Sequence, residues 1–504
     1  MTSDLPLVIV TVPARAVEAT RSELEILPHH GADAAEIRFD RWAPEDLRRA
    51  AELFPAPLPL VATYRSRGEG GDGADDLRER TSVLTSLAGL PFAYLDLEMR
   101  RDRSLIAAIG ARPGRPVLIL SCHLRANDTA REVGELLSGP PPPGTIVKVV
   151  LPCGVGRFYR EVRPLLQPRT RTHPEVVLTT GASGPLVRAL APRFGFAAVY
   201  AAPPEHVLGP RGESPVEPSQ IPVDRLRRFY DAGEFGRLFA VTGHPIGHSL
   251  SPAVHSLWMS EEGKPGLYLA LDIDSEEEFA SVLRPLGEDG LRGLNVTHPW
   301  KEAALRLADR VGRAAEQAGC ANVLARVDRS WRAENFDVRA LVRRLSELRE
   351  AGAWTGDRLL VIGTGGAARA TLVAAAELHV SAEVMGRSVG HVARIAREFG
   401  AETARPTSAA ASLIVHATPA GRSDVPTLDV TWEERCGPGT YLLDFVYRPE
   451  HPSLRARVVQ RGGTYEDGGR LLVYQAAESF GVFWDARPSP ALEEKALKEV
   501  VCTA

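Results

Sequence analysis

The chain has 504 residues, too long for one ordinary domain, and its length points to roughly three hydrophobic cores. Sixty basic residues stand against 64 acidic ones for a formal net charge of −4, so no overall field draws nucleic acid or an anionic membrane, and no apolar run could span a bilayer. Small metabolites are the expected partners; the five cysteines, Cys122, Cys153, Cys320, Cys436 and Cys502, lack any C-x-x-C pair, which argues against a zinc site or disulfide framework and fits a reducing, cytoplasmic setting.

Leu5 to Val12 opens the chain as an apolar strand; Asp4 in front of it and the lack of a basic lead-in argue against a secretory leader. Seven more runs follow: Ala35 to Phe39, Leu58 to Tyr64, Phe92 to Leu97, Val117 to Leu120, Ile146 to Leu151, Val176 to Leu178 and Ala197 to Tyr200. Between them lie stretches with helical spacing, such as Ala43 to Phe54 and Leu77 to Leu87. Eight strand-and-helix units predict a (β/α)8 barrel, and the absence of a repeat disfavours a solenoid. The run from Gly139 to Gly144, GPPPPG, lacks backbone donors and reads as a stiff surface connection.

In such a barrel, chemistry gathers at the C-terminal strand ends. Glu36 and Arg38 share one side of the second run, Arg65 follows the third, Asp96 and Glu98 lie on or after the fourth, and His123 follows the fifth. Lys148 sits inside Ile146-Val147-Lys148-Val149-Val150, where a buried amine is a candidate nucleophile for a Schiff base; the competing reading is a lysine on a half-exposed strand.

These residues fall into motifs: E-x-R-x-D at Glu36 to Asp40, R-S-x-x-E-G-G at Arg65 to Gly71, S-x-H at Ser121 to His123, and the strand lysine Lys148, then Arg188, Phe194-Gly195 and Gln220. Across about residues 5–228 the set resembles the type I 3-dehydroquinate dehydratases. The resemblance implies that Lys148 forms an imine with the substrate ketone and that His123 moves the neighbouring proton and protonates the departing hydroxyl. It also implies that Glu69 orients His123 and that Glu36, Arg38, Arg65, Arg188 and Gln220 belong to the substrate site. The chain departs from the family at Leu124-Arg125, at Thr129-Ala130 and at Val216, where the family has Asp-Phe, Thr-Pro and serine.

After a Pro- and Gly-rich junction, Val223 to Tyr230 predicts a short basic amphipathic helix, with a domain boundary near Asp231 to Arg237. Leu238 to Val241 is a strand leading into Gly243-His244-Pro245-Ile246-Gly247-His248-Ser249-Leu250-Ser251-Pro252, whose two hydroxyls suit a small carboxylate or, alternatively, cap a helix. In Gly293 to Lys301, GLNVTHPWK, Pro299 ends a strand and Lys301 stands in a first helical turn, where a cation opposes the helix dipole. Asn322 and Asp337 follow.

Leu359 to Arg369, LLVIGTGGAAR, reads strand, tight turn, helix: Gly363, Gly365 and Gly366 let backbone amides approach a pyrophosphate, with Ala367 opening the helix. The next strand, Ala382 to Met385, ends at Gly386-Arg387-Ser388, where an arginine replaces the acidic ribose reader and points to NADP, with Arg369 near the phosphate turn as a second cation. With His416 to Gly421, Asp444 to Pro449, Gly468 and Gln475, these stretches resemble shikimate dehydrogenase from Leu238 to Trp484. The resemblance implies Lys301 and Asp337 as the catalytic pair and Ser249, Ser251 and Tyr447 on the carboxylate. Asn322, Thr297 and Gln475 then take the ring hydroxyls, and Thr418 and Gly468 stand by the cofactor. Phe336, Val323, Gly386 and His416 replace Thr, Thr, Asn and Asn of the family.

The expected architecture is α/β: an N-terminal (β/α)8 barrel in residues 1–232, a substrate-binding domain in 237–340 completed by 471–504, and a Rossmann-type NADP domain in 341–470. The expected activity is dehydration of 3-dehydroquinate to 3-dehydroshikimate and its reduction to shikimate with NADPH, without a metal. Two alternatives stay open, a barrel that serves only as a binding or scaffold module and a dehydrogenase that takes quinate.

Overall fold

The computed structural model describes every residue except 1–4, 113, 167–171, 208–216, 234–235, 406–408, 422–424, 426–430, 450–452 and 503–504; Val216 and part of the expected boundary segment lie outside the described residues. Its contacts divide the chain into two compact units. One holds Met1–Leu238 with Pro265–Leu271 and Ser281–Asp289, the other Phe239–Lys264, Asp272–Ala280 and Gly290–Ala504.

Eight strands form the first sheet: β1 (Leu7–Val12), β2 (Ala34–Arg38), β3 (Leu60–Thr63), β4 (Tyr94–Glu98), β5 (Val117–His123), β6 (Thr145–Pro152), β7 (Glu175–Thr180) and β8 (Ala198–Ala201). Each pairs in parallel with the next, β1 pairs with β8, and the Ala197 N–H donates to the Glu175 carbonyl at 2.8 Å, which brings the start of β8 against β7 and closes the barrel. Helices cover the outer face of such a sheet and side chains fill its centre, so strands with no wet face read as continuous apolar runs. Val8, Ile37, Val61, Leu97, Val149 and Val177 are at or near zero exposure for this reason.

Two details differ from the sequence reading. The segment Ala43 to Phe54 breaks into a short helix, Pro44–Arg48, and a 3-10 turn, Ala50–Leu53, on either side of Arg49, which leaves helical geometry at φ −93 and ψ 7. Strand β5 runs on to His123, so the histidine ends a strand instead of following one. The amphipathic helix forms as Val223–Asp231 and buries Val223, Leu226 and Tyr230.

Two six-stranded sheets follow. The second sheet contains β9 (Arg237–Gly243), β10 (Gly266–Asp272), β11 (Leu291–Val296), β12 (Arg310–Val311), β13 (Val323–Val327) and β14 (Ser330–Glu334), in the order β10-β9-β11-β13-β14-β12. It is mixed: β11 with β13 and β13 with β14 are antiparallel, β12 with β14 parallel. The long helix Gly469–Trp484 packs on it through Phe483, whose ring stacks on Phe239 and lies so close to Gly293 that any Cβ there would overlap it.

The third sheet contains β15 (Arg358–Ile362), β16 (Ser381–Met385), β17 (Glu402–Thr403), β18 (Leu413–His416), β19 (Tyr441–Asp444) and β20 (Thr464–Glu466), ordered β17-β16-β15-β18-β19-β20 and wholly parallel. This is the doubly wound arrangement, and its strand order reverses at β15, where open α/β sheets bind ligands beyond the carboxyl ends. Leu360, Ile362, Ile414, Trp432, Leu442 and Val458 form its core. Among the described residues no helix is long and apolar enough to cross a membrane, and no cluster of His, Cys, Asp or Glu could hold a metal ion.

Candidate active sites

In the barrel, strand alternation turns Glu36 on β2, Asp96 on β4 and Lys148 on β6 into one interior, all three buried. Lys148 Nζ lies 3.1 Å from Asp96 Oδ2 and 3.7 Å from Glu36 Oε1, and it sits 3.9 Å from the centre of the Tyr200 ring. A buried ammonium without such partners would be prohibitively costly; two carboxylates and an aromatic face make it tolerable. Glu36 is fixed in turn by the hydroxyls of Thr11 and Thr63, each donating at 2.9 Å, and Gln220 Nε2 donates to Thr11 Oγ1 at 3.0 Å.

Arg65 ties the cluster together. Its guanidinium donates to Ser121 Oγ at 2.9 Å, Asp96 Oδ1 at 3.0 Å and Glu69 Oε2 at 3.1 Å. Burial pushes the Asp96 carboxyl up, but the Arg65 and Lys148 charges beside it outweigh burial and hold it below the ordinary carboxylate range. Glu69 receives the backbone N–H of His123 at 3.0 Å and lies 3.2 Å from His123 Nδ1. Burial pushes Glu69 up to about 7 against the pull of Arg65. Burial first, then Arg65 and Lys148, push His123 well below its ordinary value, so its imidazole is neutral near neutral pH with a ring nitrogen free of the extra proton.

The arrangement thus brings together Glu36, Arg65, Glu69, His123, Lys148 and Gln220. Arg38 forks onto Asp40 at 2.8 and 2.9 Å at the end of β2. Arg188 directs Nε to the Tyr200 carbonyl and Nη1 to those of Thr179 and Gly184, leaving only Nη2 outside these bonds. Sequence reasoning missed Tyr200; its inward-facing position at the end of the eighth run was the available signal. It also missed the buried fork of Arg80 onto Asp102, which places the Glu98 backbone through a 2.7 Å bond to Asp102.

The second site stands where helix beginnings meet. Pro299 separates β11 from the helix Lys301–Leu307, which Lys301 opens, and Asn335 caps the helix Phe336–Glu350, so Asp337 lies in its first turn. Lys301 Nζ donates to Asp337 Oδ2 at 2.6 Å. Burial lowers the Lys301 amine, but the charge and hydrogen bond of Asp337 outweigh it and raise the amine above its ordinary value, keeping it an ammonium. Asn322 Nδ2 donates to the other carboxylate oxygen at 3.0 Å, while its own oxygen accepts the Phe336 N–H at 2.7 Å. Gln475 Oε1 is 3.5 Å from both Asn322 Nδ2 and Asn295 Nδ2. Asn295 is a further residue of this cluster that sequence reasoning passed over.

Ser251 begins the helix Ser251–Glu261 and its N–H faces Ser249 Oγ at 3.4 Å. Thr297 follows β11, held by its N–H on the Thr242 carbonyl at 2.9 Å, and Tyr447 stands half-buried after β19.

The phosphate turn fits a dinucleotide. Gly363 has φ +132, and a Cβ there would lie 2.6 Å from the Ala417 carbonyl oxygen. The helix Gly366–Glu377 starts after Gly365 with no side chain capping its amides, and Ala367 lies in its first turn. A Cβ on Gly366 would lie 3.0 Å from Lys301 Cδ, so turn and lysine touch. Gly468 is held against the Phe445 carbonyl, 2.3 Å from where its Cβ would be. Arg387 is exposed just past β16. Arg369, expected as a second cation near the phosphate turn, is instead engaged by Glu398, onto which it forks at 2.6 and 2.8 Å. Thr418 lies beside Gly363 and shares its hydroxyl with His416.

Comparison with known proteins follows the same division. Residues 8–236 match the model of type I 3-dehydroquinase, and residues 241–324 that of the shikimate dehydrogenase substrate binding domain. Shikimate dehydrogenase (NADP(+)) of Maricaulis maris is 35% identical over 266 residues, 50% of this chain and 92% of that protein. The chloroplastic bifunctional 3-dehydroquinate dehydratase/shikimate dehydrogenase of Arabidopsis thaliana is 25% identical over 506 residues, 94% of this chain and 82% of that protein. Among solved structures, shikimate 5-dehydrogenase of Thermus thermophilus in complex with NADP(H) and shikimate is 31% identical and covers 52% of this chain and 99% of that one, with a TM-score of 0.46.

Proposed function

The chain belongs to the shikimate dehydrogenase family in its C-terminal half and carries a type I 3-dehydroquinase domain ahead of it, and from this premise we propose two consecutive reactions on one polypeptide. The barrel dehydrates 3-dehydroquinate to 3-dehydroshikimate, and the second half reduces that product to shikimate with NADPH. The observation that carries the reading is that each reaction finds a full acid-base set within its own unit: Lys148 with His123 and Glu69 in one, Lys301 with Asp337 and Asn322 in the other.

In the barrel, the Lys148 amine attacks the substrate ketone and water departs, leaving a protonated imine that links Lys148 to the substrate carbon. Neutral His123 takes the proton from the adjacent carbon, the electron pair flows toward the imine nitrogen, and His123 returns the proton to the hydroxyl that departs as water. Hydrolysis of the imine frees the lysine. Arg65, Arg188 and Gln220 hold substrate oxygens.

In the second half, NADPH bound at the glycine turn supplies a hydride. Gly363, Gly365, Gly366, Ala367, Thr418 and Gly468 form its bed, and Arg387 takes the 2′-phosphate. Lys301, kept charged by Asp337, donates the proton that the ketone oxygen needs, while Ser249, Ser251 and Tyr447 hold the carboxylate, and Asn322, Thr297 and Gln475 the hydroxyls.

We place three domains on the chain, 1–232, 237–340 with 471–504, and 341–470, and its site of action in the cytoplasm, which five cysteines without a C-x-x-C pair support. The test is one coupled assay. 3-Dehydroquinate plus NADPH must oxidise the cofactor without added dehydratase, and borohydride must trap substrate on Lys148; a protein that oxidises NADPH only with supplied 3-dehydroshikimate reduces the barrel to a binding module.

A further inference from the structure

His416 replaces the asparagine of the resembling family, and its ring is 1% exposed at the end of β18. Nδ1 lies 2.8 Å from Asp444 Oδ1 and Nε2 lies 2.7 Å from Thr418 Oγ1. Asp444 also accepts the Val446 N–H at 2.9 Å and the Tyr465 hydroxyl at 2.9 Å. Tyr465 keeps its proton to donate, since burial and the neighbouring Asp444 charge push its hydroxyl well above its ordinary value.

A carboxylate has no proton to give, so its partners must all donate, His416 Nδ1–H among them. A neutral imidazole that donates from Nδ1 accepts at Nε2, and the single proton of the Thr418 hydroxyl therefore points at His416. Thr418 Oγ1 already receives the Ala420 N–H at 3.2 Å. One lone pair is left, and the Thr418 side chain borders the bed through its methyl carbon, 3.2 Å from where a Cβ on Gly363 would lie.

We propose that His416 is a positioning residue that fixes the Thr418 hydroxyl as a hydrogen-bond acceptor toward the bound dinucleotide. The loop then selects a donor on that ligand, either a carboxamide N–H or a ribose O–H. The inference rests on the cofactor reading above and adds a direction to it. An imidazolium at this position would reverse the sense, turning the hydroxyl proton outward.

The full-length protein with 15N-labelled histidine reports the tautomer by NMR before any cofactor is added, the His416 signals being those lost in His416→Asn. Neutral imidazole with the proton on Nδ1 is expected near pH 7; an Nε2–H tautomer or an imidazolium overturns the proposal.

Dissociation constants come next, for NADP+ and for its 3-acetylpyridine analogue, whose acetyl group cannot donate. Thr418→Val, close in shape and without the hydroxyl, is expected to weaken NADP+ about tenfold, whereas Thr418→Ser stays within about threefold. His416→Asn also stays within about threefold, because an amide can donate to Asp444 and accept from Thr418. If the carboxamide is the donor, the wild type discriminates against the analogue and Thr418→Val does not; if a ribose hydroxyl is, the variant loses affinity equally for both. Unchanged NADP+ affinity in a folded Thr418→Val protein overturns the proposal alone. A wild-type protein that binds no NADP+ overturns the cofactor reading and this inference with it.

Discussion

Asp337→Asn isolates what the carboxylate does for Lys301. In the native site both carboxylate oxygens are taken, one by Lys301 at 2.6 Å and the other by Asn322 at 3.0 Å. An amide of the same shape offers one acceptor, so one of the two donors is orphaned, at about 1–3 kcal/mol. The attraction lost is larger in gross terms: two unit charges 2.6 Å apart in an effective dielectric of about 20 interact by about 6 kcal/mol, most of it offset in the native protein by desolvation. With its counter-charge gone, burial dominates Lys301 and lowers its pKa, and the ammonium needed as proton donor is no longer secured. Reduction is therefore expected to lose about 10²- to 10⁴-fold in kcat, the range of general acid-base catalysis, with a smaller change in KM. The basic limb of the kcat profile moves to lower pH, because the neighbour that raised the amine has been removed. The assay is cofactor oxidation with supplied 3-dehydroshikimate on variant protein of confirmed folding. Dehydration by the same sample stays within about twofold. A reduction rate within a factor of about three of wild type, or an unmoved basic limb, refutes the reasoning.

Lys148→Ala abolishes dehydration and borohydride labelling while reduction of supplied 3-dehydroshikimate persists; a label on any other lysine counts against the assignment. Burial raises Glu69 to about 7, so it loses its proton as pH rises through that value, and the kcat profile for dehydration should carry an inflection there that Glu69→Gln removes. Gly363→Ala forces a side chain into positive φ and onto the Ala417 carbonyl, which should lower stability by about 1–3 kcal/mol and weaken NADP+ binding, read by thermal melts and fluorescence titration. Arg387→Ala should reduce the preference for NADP+ over NAD+ by roughly ten- to a hundredfold in kcat/KM, the scale of one charge-assisted contact, and an unchanged ratio would remove Arg387 from the site.

The eight barrel strands were legible as short, predominantly apolar runs separated by stretches with helical spacing, and the turn at Gly363 because a strand, a glycine cluster and an alanine-rich helix follow one another without interruption. A local signal, Pro299 two residues ahead, also placed Lys301 in a first helical turn. What stayed hidden depends on pairing between distant segments. Nothing near Arg369 announces that Glu398 will engage it from another helix, nothing near His416 names Asp444, and Tyr200 meets Lys148 only when β8 closes the barrel. The break at Arg49 was hidden for the opposite reason: apolar spacing continues across it while the backbone does not.

The contact between Gly366 and the stem of Lys301 has a consequence for how variants of the second site behave. Two helix amino ends, those beginning at Phe336 and at Gly366, face the same lysine, and the partial positive charge at such ends belongs to the peptide backbone. It survives any side-chain replacement and is weakened little by salt where the amides are sheltered. Stripping charged side chains from this pocket one at a time is therefore expected to leave a residual pull on anions that no single side-chain substitution removes.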